Sequence, residues 1–162
     1  MRRDWRLMRL VVRTTHEIEK ARSAQMALIK ARDTKPELKV RRAMHAVGLR
    51  FRLHAKDLPG RPDLVFRSRR VAVFVHGCFW HQHPDPACKL ARMPKSKLEF
   101  WRPKLEGNRL RDLRTCGELE ARGWSVLEVW ECHTGPDELD ALAMRIKRAP
   151  IRSRTGRGNA RK

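Results

Sequence analysis

Eight residues near the middle of the chain, His76-Gly-Cys-Phe-Trp-His-Gln-His83, bring three imidazoles and a thiol together with two large aromatic rings. A buried strand has no use for three imidazoles, and a solvated loop has none for Phe beside Trp. Cys78, His83 and Cys88 are spaced C-x4-H-x4-C, and Cys132 follows the apolar run "SVLEVW". Thiolate sulfur and imidazole nitrogen suit tetrahedral zinc, and four protein ligands would make such a site structural and closed. The competing reading is four inert buried thiols. Cys116 fits it, because that residue shares an apolar helical face with Leu113 and Leu119. Cys78 and Cys88 do not, since "HQHPDPACK" has no apolar periodicity that would bury them.

His76 and His81 are then left at the C-terminal end of a strand, where mixed sheets place their chemistry. Asp63 opens the neighbouring strand behind a stiff Pro-Gly-Arg-Pro turn, and a plain hairpin sets positions 63 and 76 opposite each other. One carboxylate and two imidazoles at one sheet end are the makings of a hydrolytic site. Asn108 and Asp112 fall on the inward side of a helix and need partners there, which a cluster of metal-held waters would supply. Glu37 is accounted for as the third helical residue of a capping box. Phe79, Trp80 and Trp101 are either core or a stacking wedge for bases, and a loop pinned by a metal favours the wedge.

The elements that must position these residues read in the order α-β-β-α-β-α, a small mixed sheet flanked by helices. Thr34-Lys-Pro-Glu37 opens a helix that Gly48 stops. Residues 63–66 form a short strand, and Val71–Val75 is a continuous apolar run fit for a buried central strand. Ser96-Lys-Leu-Glu99 is a second capping box, opening a helical region that Pro103 and Gly107 should break or kink and that continues to Ala121, with Gly123 as its stop. Ser125–Trp130 is the third strand, and residues 137–148 form a last amphipathic helix.

Composition narrows the class. The 162 residues carry 38 Lys+Arg against 18 Asp+Glu, a net charge of +20, and this calls for a polyanionic partner, most simply nucleic acid. No run of 18 apolar residues and no lipidation motif points to a membrane. The N-terminal apolar run Leu10-Val11-Val12 is too short for a signal peptide, which predicts a cytoplasmic protein whose four cysteines are thiols or ligands rather than disulfides. Residues 1–20 are expected to be a poorly ordered extension, 21–150 the folded domain, and 151–162 a basic disordered tail.

The motifs "RDTKPE", "LPGRPDLVF", "VFVHGCFWHQH", "EFW", "GNRLRD" and "GWSVLEVWEC", in this order from about Ala21 to Cys132, resemble the very short patch repair endonucleases. These are bacterial enzymes that nick DNA beside a T·G mismatch left by deamination of 5-methylcytosine. The resemblance implies a restriction-endonuclease-like core, a structural zinc and a catalytic magnesium. By position it implies Asp63 as a magnesium ligand through its carboxylate, and Val75 through its carbonyl where the family often has Thr. It implies His81 as the group that activates water, with His76, Glu37, Asn108 and Asp112 orienting waters and phosphate. Cys78, His83, Cys88 and Cys132 match the zinc ligands, Cys88 most loosely. Phe79, Trp80 and Trp101 match a wedge entering from the major groove, and Met26 and Ile29 match residues that insert from the other side. The implied partner is double-stranded DNA with a T·G mismatch, nicked 5′ of the thymine. The enzyme would be a nucleoid-associated monomer, with mismatch-repair proteins as further partners. Two other readings stand beside this: a non-catalytic zinc-stabilised nucleic-acid-binding module, and a related nuclease of different site specificity.

Overall fold

The computed structural model describes residues 32–151. The chain divides between Thr34 and Lys35, and every helix and strand among the described residues belongs to the second unit. Its elements are α1 (Lys35–Ala46), β1 (Arg52–Leu53), β2 (Leu64–Phe66), β3 (Val71–His76), α2 (Leu98–Ala121), β4 (Ser125–Trp130) and α3 (Pro136–Arg148). The strands lie in the order β1-β2-β3-β4, antiparallel except for the parallel pair β3 and β4. The sheet is therefore mixed, as expected, with one strand more. The two residues of β1 are exposed edge positions without apolar alternation, so no pattern in the sequence marks them.

Alternation along β3 builds two cores. Val71, Val73 and Val75 pack with Leu64, Phe66, Leu127 and Val129 against α1 and α3. Those helices present Val40 and Met44, and Leu139, Leu142, Ala143 and Ile146, at helical spacing. Ala72 turns the other way and packs with Val65 and Leu119 of α2, beside Phe74. A strand covered on both faces must be apolar at successive positions, and Val71–Val75 is.

Three local expectations fail in informative ways. α2 runs unbroken for 24 residues through Pro103 and Gly107. A proline this near the N-terminus removes one early hydrogen bond, and packing of the rest of the helix outweighs that loss. The Ser96–Glu99 box does not form, for the residue preceding α2 is Lys97, left-handed at φ 55° and with no side-chain cap. Leu113 is 60% exposed, so the inward face of α2 carries Leu105 and Leu119 without it.

The Leu58–Pro62 turn lies against α2. A Cβ on Gly60 would stand 2.3 Å from the Thr115 methyl, and its φ of +66° is one that side chains resist. Glycine here lets the chain pass close under the helix and deliver Asp63 to the end of β3.

Candidate active site and metal centre

The β2–β3 register pairs Leu64 with Val73, which sets Asp63 across from Phe74, two residues short of His76. The expected alignment of positions 63 and 76 therefore does not hold. Asp63 instead caps the neighbouring peptide: its Oδ2 accepts the Val75 N–H at 2.8 Å. Its Oδ1 lies 3.8 Å from His54 Nδ1. His54 in turn meets Arg41 at 3.0 Å, and Arg41 donates to the buried carboxylate of Glu37 at 2.8 Å. Burial lifts the Asp63 carboxyl above its ordinary value and the Glu37 charge adds to this, while the Val75 N–H, His54 and His76 pull it down. Glu37 thus belongs to this acidic corner as well as to the first turn of α1.

Two residues beyond Phe74, at the end of β3, a second group converges. His76, His81 and Asp112 bring one ligand-capable atom each within 4.8 Å of the others, a group that does not include Asp63. The His76 and His81 rings are 4.1 Å apart between centroids, and His81 Nδ1 meets Asp112 Oδ2 at 2.6 Å. An ionised carboxylate only accepts, so Nδ1 carries the proton and the lone pair is left on Nε2. His81 reaches this place because residues 77–83 coil tightly: its N–H donates to Gly77 O at 3.1 Å, and that of His83 to Cys78 O at 2.9 Å.

Asn108 donates from Nδ2 to the Trp80 carbonyl at 3.0 Å and accepts from Arg111 at 2.8 Å. The Asn108 and Asp112 pair thus finds its partners in Trp80 and His81, protein groups that do not require the metal-held waters expected for them. Their i, i+4 spacing on α2 clamps the loop at two points one turn apart.

Two participants escaped the sequence reading. Glu128 lies 3.5 Å from His76 Nε2, and that hydrogen bond holds its carboxyl below its ordinary value against the effect of burial. A lone acid inside "SVLEVW" was the available signal. His54 is the other, and "RLHAKD" offers no cue for it. Cys116 proves half-buried rather than core, with its thiol 3.6 Å from Glu128 and its pKa pushed up to about 11 by burial and that neighbour.

Cys78, His83, Cys88 and Cys132 converge so that their ligand atoms all lie within 4.8 Å of one another. Zinc–sulfur bonds of about 2.3 Å give a tetrahedron with edges near 3.8 Å, so small side-chain adjustments would close the group on an ion. One observation favours a cation there: His83 Nδ1 is buried without a hydrogen-bond partner. Without an ion, burial and the thiols of Cys78 and Cys88 push Cys132 up to about 12. Three sulfurs and a nitrogen facing one another without a cation would be poorly satisfied, and zinc suits that donor set.

The aromatic cluster lies next to this centre. Phe79 is 5.1 Å from Trp80 and 5.2 Å from Trp101 between ring centroids, and Phe100 is 5.2 Å from Trp101. Lys104 Nζ stands within 6.0 Å of the Trp80, Phe100 and Trp101 rings, a cationic contact that nothing in the sequence reading singled out. Phe79, Trp80 and Trp101 are half-buried rather than core. Met26 and Ile29 lie outside the described residues.

A family model described as DNA mismatch endonuclease Vsr matches residues 15–87. The DNA mismatch endonuclease Vsr of Escherichia coli is 43% identical over 111 residues, covering 68% of this chain and 69% of that protein. The type II nicking enzyme V.XorIIP of Xanthomonas oryzae is 49% identical over 122 residues, covering 75% of this chain and 86% of the relative. The chain belongs to the Vsr family. As a Vsr-family protein it is a DNA endonuclease, a hydrolase with DNA as its partner, and the non-catalytic binding module is set aside. The Vsr match itself spans Glu37, Asp63, His76 and His81, and the α2 and β4 contributions lie beyond it. V.NaeI, a type II nicking enzyme of Lentzea aerocolonigenes, extends the similarity at 40% identity over 126 residues. Among the described residues no helix is long and apolar enough to cross a membrane.

Proposed function

We propose that this Vsr-family endonuclease nicks one strand of duplex DNA 5′ of the thymine in a T·G mismatch, with magnesium at Asp63 and a structural zinc at the four Cys/His ligands. The observation that carries the reading is the ordered imidazole, His81 held by Asp112 at 2.6 Å beside His76 and at the same sheet end as Asp63.

The roles follow from the contacts. His81, with its Nε2 lone pair free, takes the proton of the attacking water, which lies within reach of a general base ordered in this way. Asp112 sets the tautomer. His76, held at Nε2 by Glu128, orients the waters and phosphate at this end of the sheet. Asp63 and the Val75 carbonyl form the cradle for magnesium. The His76 carbonyl accepts from Glu131 on the β4 side, so by strand alternation the Val75 carbonyl points to the β2 side, where Asp63 lies. When bound there, magnesium supplies positive charge against that building up on the phosphate. Glu37, through Arg41 and His54, and Asn108, through Trp80, hold the two sides of the site in place. Phe79, Trp80 and Trp101 wedge into the duplex from the major groove, with Met26 and Ile29 entering opposite, and a mismatched step unstacks at less cost than a paired one.

Residues 21–150 form the nuclease domain on this reading, with a restriction-endonuclease-like core. It acts as a monomer on DNA in the bacterial cytoplasm, alongside mismatch-repair proteins. That V.XorIIP and V.NaeI are named type II nicking enzymes favours a second reading, a nicking enzyme of different site preference.

A nicking assay on T·G, C·G and other mismatched duplexes, with magnesium and with EDTA, separates the two. The T·G reading expects a 5′-phosphate on the thymine in the mismatched duplex alone, and equal cutting of the C·G duplex would sink it. Asp112→Asn is expected to slow nicking about a hundredfold at saturating DNA with little change in KM, because an amide no longer dictates which nitrogen of His81 carries the proton. Single-turnover kinetics on the T·G duplex measure this.

A further inference from the structure

The end of the sheet away from the site holds a hollow of about 410 Å³ between the start of β3 and β4 and the end of α3. Arg69, Arg70, Arg145 and Arg148 line it, and no carboxylate does. Two of the four are fixed by the fold. Arg69 donates to the carbonyls of Lys147 and Ala149 at 2.8 and 2.6 Å, closing the C-terminus of α3. Arg70 donates to the Arg122 carbonyl at 3.0 Å and lies over Trp124. Arg145 and Arg148, one turn apart on α3 and exposed, have no hydrogen bond or ion pair among the described residues. Four guanidiniums around one cavity repel one another, and the geometry of a fork of N–H donors is matched by phosphate oxygens.

From this we infer a second nucleic-acid site: the hollow binds a backbone phosphate of duplex DNA away from the step that is cut. Position argues that this is not the scissile phosphate. β3 and β4 run parallel, the hollow at Val71 and Ser125 and the catalytic imidazoles at His76 and beyond. Five strand steps of about 3.3 Å put about 16 Å between them. Composition argues for DNA over an acidic protein. Pro150 lines the hollow, and the sequence that follows from Ile151, "IRSRTGRGNARK", carries four further arginines and a lysine and no acid. Such a run suits the continuous charge of a phosphate backbone. The inference rests on DNA as the partner and is independent of which mismatch is cut.

Binding of a fully paired, fluorescently labelled duplex of about 40 base pairs across a salt series tests it, with the full-length chain and an Arg145→Ala/Arg148→Ala variant. Two lost phosphate contacts should flatten the slope of log K against log salt by about 2, and weaken binding about thirtyfold near 0.15 M salt. The nicking rate at saturating DNA should not change. Lysine at both positions should restore the slope. An unchanged slope overturns the site, and so does a lower nicking rate at saturating DNA, which would place these arginines in the catalytic footprint. Loss of binding to a polyglutamate peptide with DNA binding intact would assign the hollow to an acidic protein instead and overturn it as well. Melting temperature checks that the variant folds. Failure of T·G selectivity would leave every one of these outcomes readable.

Discussion

An Asp63→Asn chain is expected to bind duplex DNA as the unaltered protein does and to nick it at least about a thousandfold more slowly. The amide keeps the shape of the side chain, and its oxygen can still accept the Val75 N–H, so the turn that Gly60 lets under α2 should survive. What disappears is the negative charge that would hold a divalent ion. A gel assay for nicking beside a mobility-shift assay for binding measures both halves, and retained nicking would remove Asp63 from the chemistry.

The same variant has a second readout in stability. The folded-state carboxyl of Asp63 titrates above its ordinary 3.8, chiefly because burial disfavours the ion. A raised folded pKa means that the stabilising contribution is complete below the unfolded value and is lost as pH rises through the folded one. At neutral pH, without added divalent ions, the ionised side chain therefore weighs against folding. Asp63→Asn should melt higher than the unaltered chain at pH 7, with the gap closing as pH falls below that window. Magnesium should stabilise the unaltered chain and not the variant. A variant that melts lower at pH 7 would show that the carboxylate is held by partners strong enough to outweigh its burial.

Removal of the proposed zinc is the second large effect expected. Three of its four proposed ligands, Cys78, His83 and Cys88, lie after β3, and the fourth, Cys132, lies after β4. The ion would tie together the ends of the parallel pair. With His81 standing between Cys78 and His83 in the chain, loss of the tie should free the imidazole from Asp112 and loosen the cluster of Phe79, Trp80 and Trp101. Metal analysis should find one zinc per chain. A strong chelator, or Cys132→Ser, should lower the melting temperature by about 10 °C, taking about 4 kcal/mol for an ion held at a thousandfold above its dissociation constant. A chain that contains no zinc, or that melts unchanged after chelation, would return the four residues to the inert-thiol reading.

Much of this was legible in the order of residues, and the reason is that local chemistry writes itself locally. A strand buried on both faces must be apolar at every position, and Val71–Val75 says so without coordinates. Three thiols and an imidazole outside any apolar pattern pointed to a shared ligand set, and the four did converge to where they could hold a metal ion. The inward side of α2 was readable at Asn108 and Asp112, because polar groups on a buried stripe must have partners. Charge alone pointed to a polyanion.

Tertiary structure alone decided who the partners are. Whether Asp63 stands against His76 or Phe74 depends on the register of a three-residue strand, and one or two residues of slip changes every neighbour. Glu128 meets His76 only because β3 and β4 run parallel, and His54 meets Asp63 only through the edge strand β1, which has no pattern of its own. Pro103 stays inside a continuous helix because long-range packing outweighs one missing hydrogen bond. Composition and spacing specify which chemistry is available; pairing across the sheet specifies which atoms perform it, since contacts between distant segments are a property of the whole packed chain.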